Sequence, residues 1–274
     1  MRKPGPPSER KRLEVLEALY ADYNRRAYIS PDPLEFLYRY DSRADREVVG
    51  LIASSLAYGR VASILASVGR IMTVLGSSPA DALADCDEGV LCGRLGGFVH
   101  RFTESCEMAK FLYGIGRALR EHGSLENLFC LGWGEEAVDS GESVLWAMDR
   151  FSRSLLRYAG LSVSHLLPCS SRGSACKRLA LYIRWMVRKD DVDPGGWERV
   201  LPADILVPLD THMFRIATGL GFVTRKNADG KAALEATECF RAINPEDPVK
   251  YDFALTRFGI RTGMSVDELL AKFR

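Results

Sequence analysis

Apolar residues recur every three to four positions along most of this 274-residue chain, which is the spacing that places side chains on one face of an α-helix. The first such stripe begins at Leu13 and runs to Tyr23. Residues 1–7 hold three prolines and a glycine, so we expect a disordered start that ends where Ser8 caps the first helix. The Ser-Pro-Asp-Pro segment at 30–33 ends this helix and begins the next element.

The next apolar stripes predict a helical hairpin. Asp41 or Ser42 can cap a helix that continues to Leu56. Gly59 interrupts the pattern, and a second helix ends at Gly76. Further helices are predicted near 79–85, 105–121, 135–158, 174–189, 210–219, 229–242, 248–258 and 265–273.

The pattern as a whole predicts an all-α fold. No segment shows the alternation of a half-buried strand, although a short buried strand would leave no such signal. The chain has 47% hydrophobic residues and no linker or internal repeat. Residues 8–274 are therefore expected to form a single domain, with two helical lobes around a cleft.

Composition narrows the class of protein. No stretch approaches the roughly 20 apolar residues of a membrane span, and no apolar signal-peptide core follows the basic N-terminus. We therefore expect a cytoplasmic protein with no membrane partner. The seven scattered cysteines are typical of reduced thiols rather than of a disulfide framework. The formal net charge of +1 does not itself indicate nucleic-acid binding, but a local basic face can still bind phosphate.

The first candidate site is a polar turn and the basic helix that follows it. The turn contains Arg172 and Gly173, and the exposed amides at the helix start can add an anion site. On the helix, Lys177, Arg184 and Arg188 fall on one face. Such a row can contact phosphates, or it can be a solvated helix face whose aliphatic stems pack against the surface.

The second candidate site is an acidic helix start. Pro208 holds the approach extended, and Asp210 falls at the N-cap position before an apolar helical stripe. Asp210 can be a simple cap, or it can face a cleft and stabilise positive charge that develops in a reaction. His212 can be a packed residue or part of the same site. Asp210 and His212 alone do not complete a metal shell, and no phosphate-binding or dinucleotide motif is present, so we expect neither metal nor other cofactor.

Together the two segments resemble the helix-hairpin-helix DNA glycosylases. The string at residues 209–215, Leu-Asp-Thr-His-Met-Phe-Arg, is similar to the Val-Asp-Thr-His stretch that carries the catalytic carboxylate of that superfamily. The resemblance implies that Asp210 is this carboxylate and that Lys177, 33 positions earlier, is the Schiff-base lysine. This separation is longer than in the endonuclease III branch and is similar to that of archaeal 8-oxoguanine glycosylases.

An uncharacterised bacterial family of glycosylase-like proteins is more similar still. It shares the motifs that stand here at 30–33, 177–188, 208–212 and 247–255. This resemblance covers nearly the whole chain and implies the fold more than the activity. The turn at 167–173 departs from the Leu-Pro-Gly-Val-Gly hairpin of the superfamily, because it is longer and has one glycine fewer.

The resemblance also implies a mechanism. A flipped nucleotide would present its C1′ atom to Lys177, with Arg178 and Arg184 as neighbouring contacts. Asp210 would stabilise the positively charged sugar, and a lysine Schiff base would then permit strand cleavage by β-elimination.

Three further residues are candidate substrate contacts. Tyr58, at the corner of the first helical hairpin, can stack on a base, and Arg60 can pair with phosphate. Tyr58 can equally be a packing residue. Asp252 can be a polar contact in a base pocket, or it can only orient a helix.

Two functions stay open from the sequence. The first is a DNA N-glycosylase with AP lyase activity that removes a damaged base, and the lysine–aspartate separation suggests an oxidised purine. The second is a non-catalytic nucleic-acid-binding protein on the same fold, which the altered hairpin favours. In both cases DNA is the expected partner, as damaged duplex for the enzyme, and nothing indicates an obligate protein partner.

Overall fold

The computed structural model describes residues 9–131, 133 and 140–274, without the side chains of residues 9, 140–143 and 172. Residues 1–7, expected to be disordered, and the predicted cap Ser8 lie outside the described part. The backbone described is predominantly helical, which confirms the predicted all-α class.

The helices follow one another through short connections. They are α1 Glu9–Tyr23, α2 Arg43–Ser55, α3 Val61–Leu75, α4 Pro79–Ala84, α5 Glu88–Arg94, α6 Ser105–His122, α7 Leu125–Cys130, α8 Ser140–Tyr158, α9 Lys177–Val187, α10 Thr211–Gly219, α11 Gly230–Ile243, α12 Asp252–Ile260 and α13 Val266–Lys272. Short 3₁₀ helices lie at Arg26–Tyr28, Pro33–Arg39, Ser170–Arg172 and Pro202–Asp204. Two short antiparallel strands, β1 Val99–His100 and β2 Thr103–Glu104, pair Val99 with Glu104 and His100 with Thr103. No helix in these residues is long and apolar enough to cross a membrane.

Helices α2 and α3 form the predicted helical hairpin. The hydroxyl of Ser42 accepts a hydrogen bond from the amide of Asp45 at the start of α2. Helix α3 ends at Gly76, whose φ of 77° favours glycine. Helices α5 and α7 and the two strands were not predicted. A strand of two residues is too short to show an alternating pattern.

Helix α9 is packed on two sides. It lies against α2, where Gly50 permits close approach: a Cβ atom there would be 3.3 Å from the ring of Tyr182. Tyr182 also contacts Phe151 of α8 and Trp197 of the segment that follows α9. These buried aromatic contacts fix the position of α9 within the core.

The C-terminal helices pack around α12. Helix α10 contacts α12 and α13, and α1 contacts α12 from the other end of the chain. At the contact between α10 and α12, the ring of His212 lies against Gly259, where a Cβ atom would be 2.4 Å from Nδ1. The start of α10 is therefore held at a fixed position beside α12.

Candidate active site

A cavity of about 150 Å³ lies where α9, the start of α10 and α12 meet. Its wall combines apolar side chains, among them Leu181, Trp185 and Phe253, with charged ones. Lys177 and Asp210, which are 33 positions apart in the sequence, both line it. The fold thus brings the two predicted catalytic residues to one concave site.

Lys177 is the first residue of α9 and is half-buried. The chain enters the helix through Cys176, whose φ of 46° is uncommon for a residue with a β-carbon; such conformations concentrate at functional sites. Burial raises the pKa of the Cys176 thiol to about 11, so this thiol is not a competing nucleophile. Within the described residues no hydrogen bond or ion pair engages the Lys177 amine. The amine is therefore available to a ligand in the cavity.

Asp210 is the N-cap of α10, as predicted. Its Oδ1 atom accepts hydrogen bonds from the amides of His212 at 2.9 Å and Met213 at 2.8 Å. These bonds fix the carboxylate at the positive end of the helix, where negative charge is stabilised. Because Asp210 also lines the cavity, capping and contact with a ligand are compatible roles for it.

Asp252 is a third candidate in the cavity wall. It is the first residue of α12 and only 4% exposed. Its Oδ2 atom accepts a hydrogen bond from Nη1 of Arg184 at 2.5 Å. Burial raises the pKa of Asp252 to about 6, with a further contribution from the negative charge of Asp210, although Arg184 opposes the shift.

The row of basic residues on α9 differs from the prediction. Arg184 and Arg188 are 2% and 3% exposed, so they form neither a solvated face nor a phosphate-binding one. Arg184 donates to both oxygens of Asp193 and to Asp252, and Arg188 donates to Asp193 and Asp247. Burial by itself would lower the pKa of Arg184, but the surrounding carboxylates raise it overall. Arg184 borders the cavity with its guanidinium bound to carboxylates, because acidic residues from the segment after α9 and from the start of α12 cover this helix face.

Arg178 lines the cavity, but its guanidinium is also engaged by the protein. It donates to the carbonyls of Ser55 and His165 and lies 4.9 Å from the centre of the Tyr58 ring. The Tyr58 hydroxyl is bonded to Thr103 Oγ1 at 2.9 Å. Tyr58 is not in the cavity wall, and these contacts favour the packing alternative over base stacking.

Comparison with known proteins identifies a family for this chain. The family model described as "Protein of unknown function (DUF2400)" matches residues 32–261. The chain belongs to this family. No curated protein and no solved structure matches it. Every residue that lines the cavity, from Asp32 to Ile260, lies within the matched region.

The other predicted contacts lie outside the cavity wall. Arg60 is exposed at the N-cap position of α3. Gly173 has a φ of 81°, ends the 3₁₀ turn and accepts a hydrogen bond at its carbonyl from the amide of Gly230. The side chain of Arg172 lies outside the described residues. The ring of His212 packs against Gly259 and is not in the cavity wall, which favours the packing alternative over a substrate contact.

Asp32 and Arg257 also line the cavity, and neither was predicted to belong to the site. Asp32 caps the 3₁₀ helix with Oδ1, and its Oδ2 accepts from Arg257 at 3.5 Å. The Ser-Pro-Asp-Pro motif did mark Asp32, but only as a turn residue. Arg257 carried no local signal, because its role depends on contacts with residues more than 200 positions away. Among the residues that the structure describes, no group of three or more histidine, cysteine or acidic side chains is arranged to hold a metal ion.

Proposed function

We propose that this protein is a DNA base-excision glycosylase with lyase activity, in which Lys177 is the nucleophile and Asp210 the stabilising carboxylate. The observation that carries the proposal is that these two residues, from separate segments, line the same cavity. Lys177 has no partner within the described residues, and Asp210 is held by two backbone amides.

The size and chemistry of the cavity suit an extruded base. A cavity of about 150 Å³ accommodates a small aromatic molecule such as benzene. Trp185 and Phe253 offer aromatic surface, and enzymes that act on a base within duplex DNA rotate it into such a pocket. The base would enter the cavity while the sugar stays near Lys177.

Each proposed step assigns one task to a residue of this chain. The neutral amine of Lys177 attacks C1′ while the bond from C1′ to the base breaks, and the carboxylate of Asp210 stabilises the positive charge on the sugar. The resulting Schiff base permits β-elimination of the strand.

The test is borohydride trapping with duplex and single-stranded oligonucleotides that contain 8-oxoguanine, uracil, an oxidised pyrimidine or an abasic site. We expect a covalent adduct that Lys177→Gln abolishes. The matched control is Lys189→Gln, which removes an exposed lysine just beyond α9 that is not in the cavity wall.

Asp210→Asn tests the carboxylate separately from the cap. Asparagine caps helices about as well as aspartate does, so the fold should be retained while the charge is lost. Loss of one charge-stabilising group at a transition state costs about a hundredfold or more in rate. DNA binding without excision or adduct in the wild type would instead identify a non-catalytic nucleic-acid-binding protein.

A further inference from the structure

Asp252 has one oxygen that the protein satisfies and one that it does not. Oδ2 accepts from Arg184, but Oδ1 is buried and has no hydrogen-bond partner among the described residues. An unsatisfied buried polar atom costs about 1–3 kcal/mol, so such an atom in the wall of a cavity points to a ligand that supplies the missing partner. The cavity in question is the one that Lys177 and Asp210 also line.

We propose that Asp252 is the proton donor to the leaving base, a role that rests on the function proposed above. In its acid form, Asp252 donates a hydrogen bond from Oδ1 to an acceptor atom of a heteroaromatic base, either a ring nitrogen or a carbonyl oxygen. Arg184 is hydrogen-bonded to Oδ2, which leaves Oδ1 as the oxygen without a partner among the described residues.

The step balances in atoms and electrons. The bond between C1′ and the base nitrogen breaks, and its electron pair goes to the base. The base accepts the proton from Asp252, which becomes a carboxylate, and leaves as a neutral molecule. Nζ of Lys177 forms the new bond to C1′, and the extra proton on this nitrogen passes to solvent.

The surroundings of Asp252 favour a carboxyl group that keeps its proton up to about pH 6. Burial raises its pKa to about 6, which is close to the pH at which a general acid works best. The charged groups that face it come from α9, the segment after α9, the start of α10, the 3₁₀ helix and α12 itself: Lys177, Arg184, Asp193, Asp210, Asp32 and Arg257. Asp210 and Asp193 strengthen the shift, and Arg184 limits it.

The first experiment is single-turnover excision between pH 5 and pH 9 on the lesion that the trapping panel identifies. The ratio of the wild-type rate to the Asp252→Asn rate should fall about tenfold per pH unit above a pKa near 6, because the acid form of Asp252 is lost and all other titrating groups are common to both proteins. Asp252→Asn should be about a hundredfold slower than the wild type at pH 6, and the two rates should converge as the pH rises.

The matched control is Asp193→Asn. Asp193 is fully buried and binds the same Arg184, but it does not line the cavity. This variant loses stability for the same reason as Asp252→Asn, but the ratio of its rate to that of Asp252→Asn should still fall at high pH. An abasic-site oligonucleotide provides a second comparison, because no base leaves from it: Asp252→Asn should still form the trapped adduct there, and Lys177→Gln should not.

The outcomes separate the two proposals. Excision by Asp252→Asn with the wild-type rate and pH profile would overturn the role of Asp252 and leave the glycosylase intact. Trapping at the abasic site with no excision of any base would retain the proposed lyase activity and overturn the role of Asp252 as proton donor. No adduct and no excision by the wild type would overturn both.

A titration that needs no substrate provides a further check. Carboxyl-carbon NMR of protein labelled in aspartate, with Asp252→Asn for assignment, should show the Asp252 resonance titrating near pH 6. Titration below about pH 4, the range of an ordinary aspartate, would overturn the inference.

Discussion

Substitution of Arg184 by methionine should destabilise the protein strongly. Arg184 donates to Asp193 through Nε and Nη2 and to Asp252 through Nη1, and all three residues are at least 96% buried. Methionine fills much of the same volume but leaves two buried carboxylates without this cation. Removal of one partner from a buried ion pair costs about 3–5 kcal/mol, and we expect a loss of unfolding free energy in that range.

The loss should depend on pH, with a definite sign. The pKa of Asp252 is about 6 in the folded protein, above its ordinary value, so the folded state binds this proton more tightly than the unfolded chain does. The stability contributed by this group is complete below about pH 4 and is lost as the pH rises towards 6. Removal of Arg184 raises the pKa of Asp252 further, so the pH range in which protonation of Asp252 stabilises the fold extends upwards. The deficit of Arg184→Met should therefore be larger at pH 8 than at pH 5.

Urea unfolding at both pH values, followed by circular dichroism, measures the effect. The control is Arg215→Met, because Arg215 pairs with Asp267 in a bridge whose side chains are 62% and 81% exposed. Exposed ion pairs contribute about 0–1 kcal/mol, so this variant should unfold almost like the wild type. A cost for Arg184→Met no greater than for Arg215→Met would refute the argument that the buried network stabilises the fold.

Two further predictions concern packing and thiol chemistry. Gly116→Ala places a Cβ atom 2.1 Å from the carbonyl oxygen of Leu83 and should lower the free energy of unfolding in urea by at least about 1–3 kcal/mol. Gly93→Ala in α5 has no such neighbour within 4 Å and should raise the free energy of unfolding by about 0.5–1 kcal/mol. If both lost stability equally, steric contact would not be the cause. The Sγ atoms of Cys92 and Cys106 are 3.4 Å apart, so diamide should oxidise the two thiols to a disulfide. Peptide mass mapping should detect this disulfide in the wild type and not in Cys92→Ser. Recovery of both thiols unchanged would contradict the prediction.

The successful predictions depend on local sequence. An N-cap such as Asp210 bonds to amides two and three positions later, so Pro208, Asp210 and the following apolar stripe were sufficient to predict it. The same holds for the hairpin of α2 and α3, because Ser42 and Gly76 act within one helical turn of the ends that they define.

The wrong prediction concerns contacts between distant segments. Helical spacing correctly placed Arg184 and Arg188 on one face of α9, but periodicity does not reveal what covers that face. The covering carboxylates include Asp247 and Asp252, which lie 59 and 68 positions away from their arginine partners. A charged helix face is therefore ambiguous from sequence alone: with acidic partners from elsewhere in the fold it becomes a buried ionic network rather than a phosphate-binding surface.

The same network connects stability to the candidate chemistry. Lys177 and Arg184 lie seven positions apart on α9, which is about 10 Å along one helix face, and both line the cavity. Lys177 is half-buried, whereas Arg184 and Asp252 are buried, so the proposed proton donor is more shielded from solvent than the residue that carries the amine. A nucleoside that enters base first would meet Asp252 with its base and Lys177 with its sugar. Because Arg184 positions Asp252 from the core side, Arg184→Met should impair excision more than adduct formation at an abasic site, even under conditions in which the variant is fully folded.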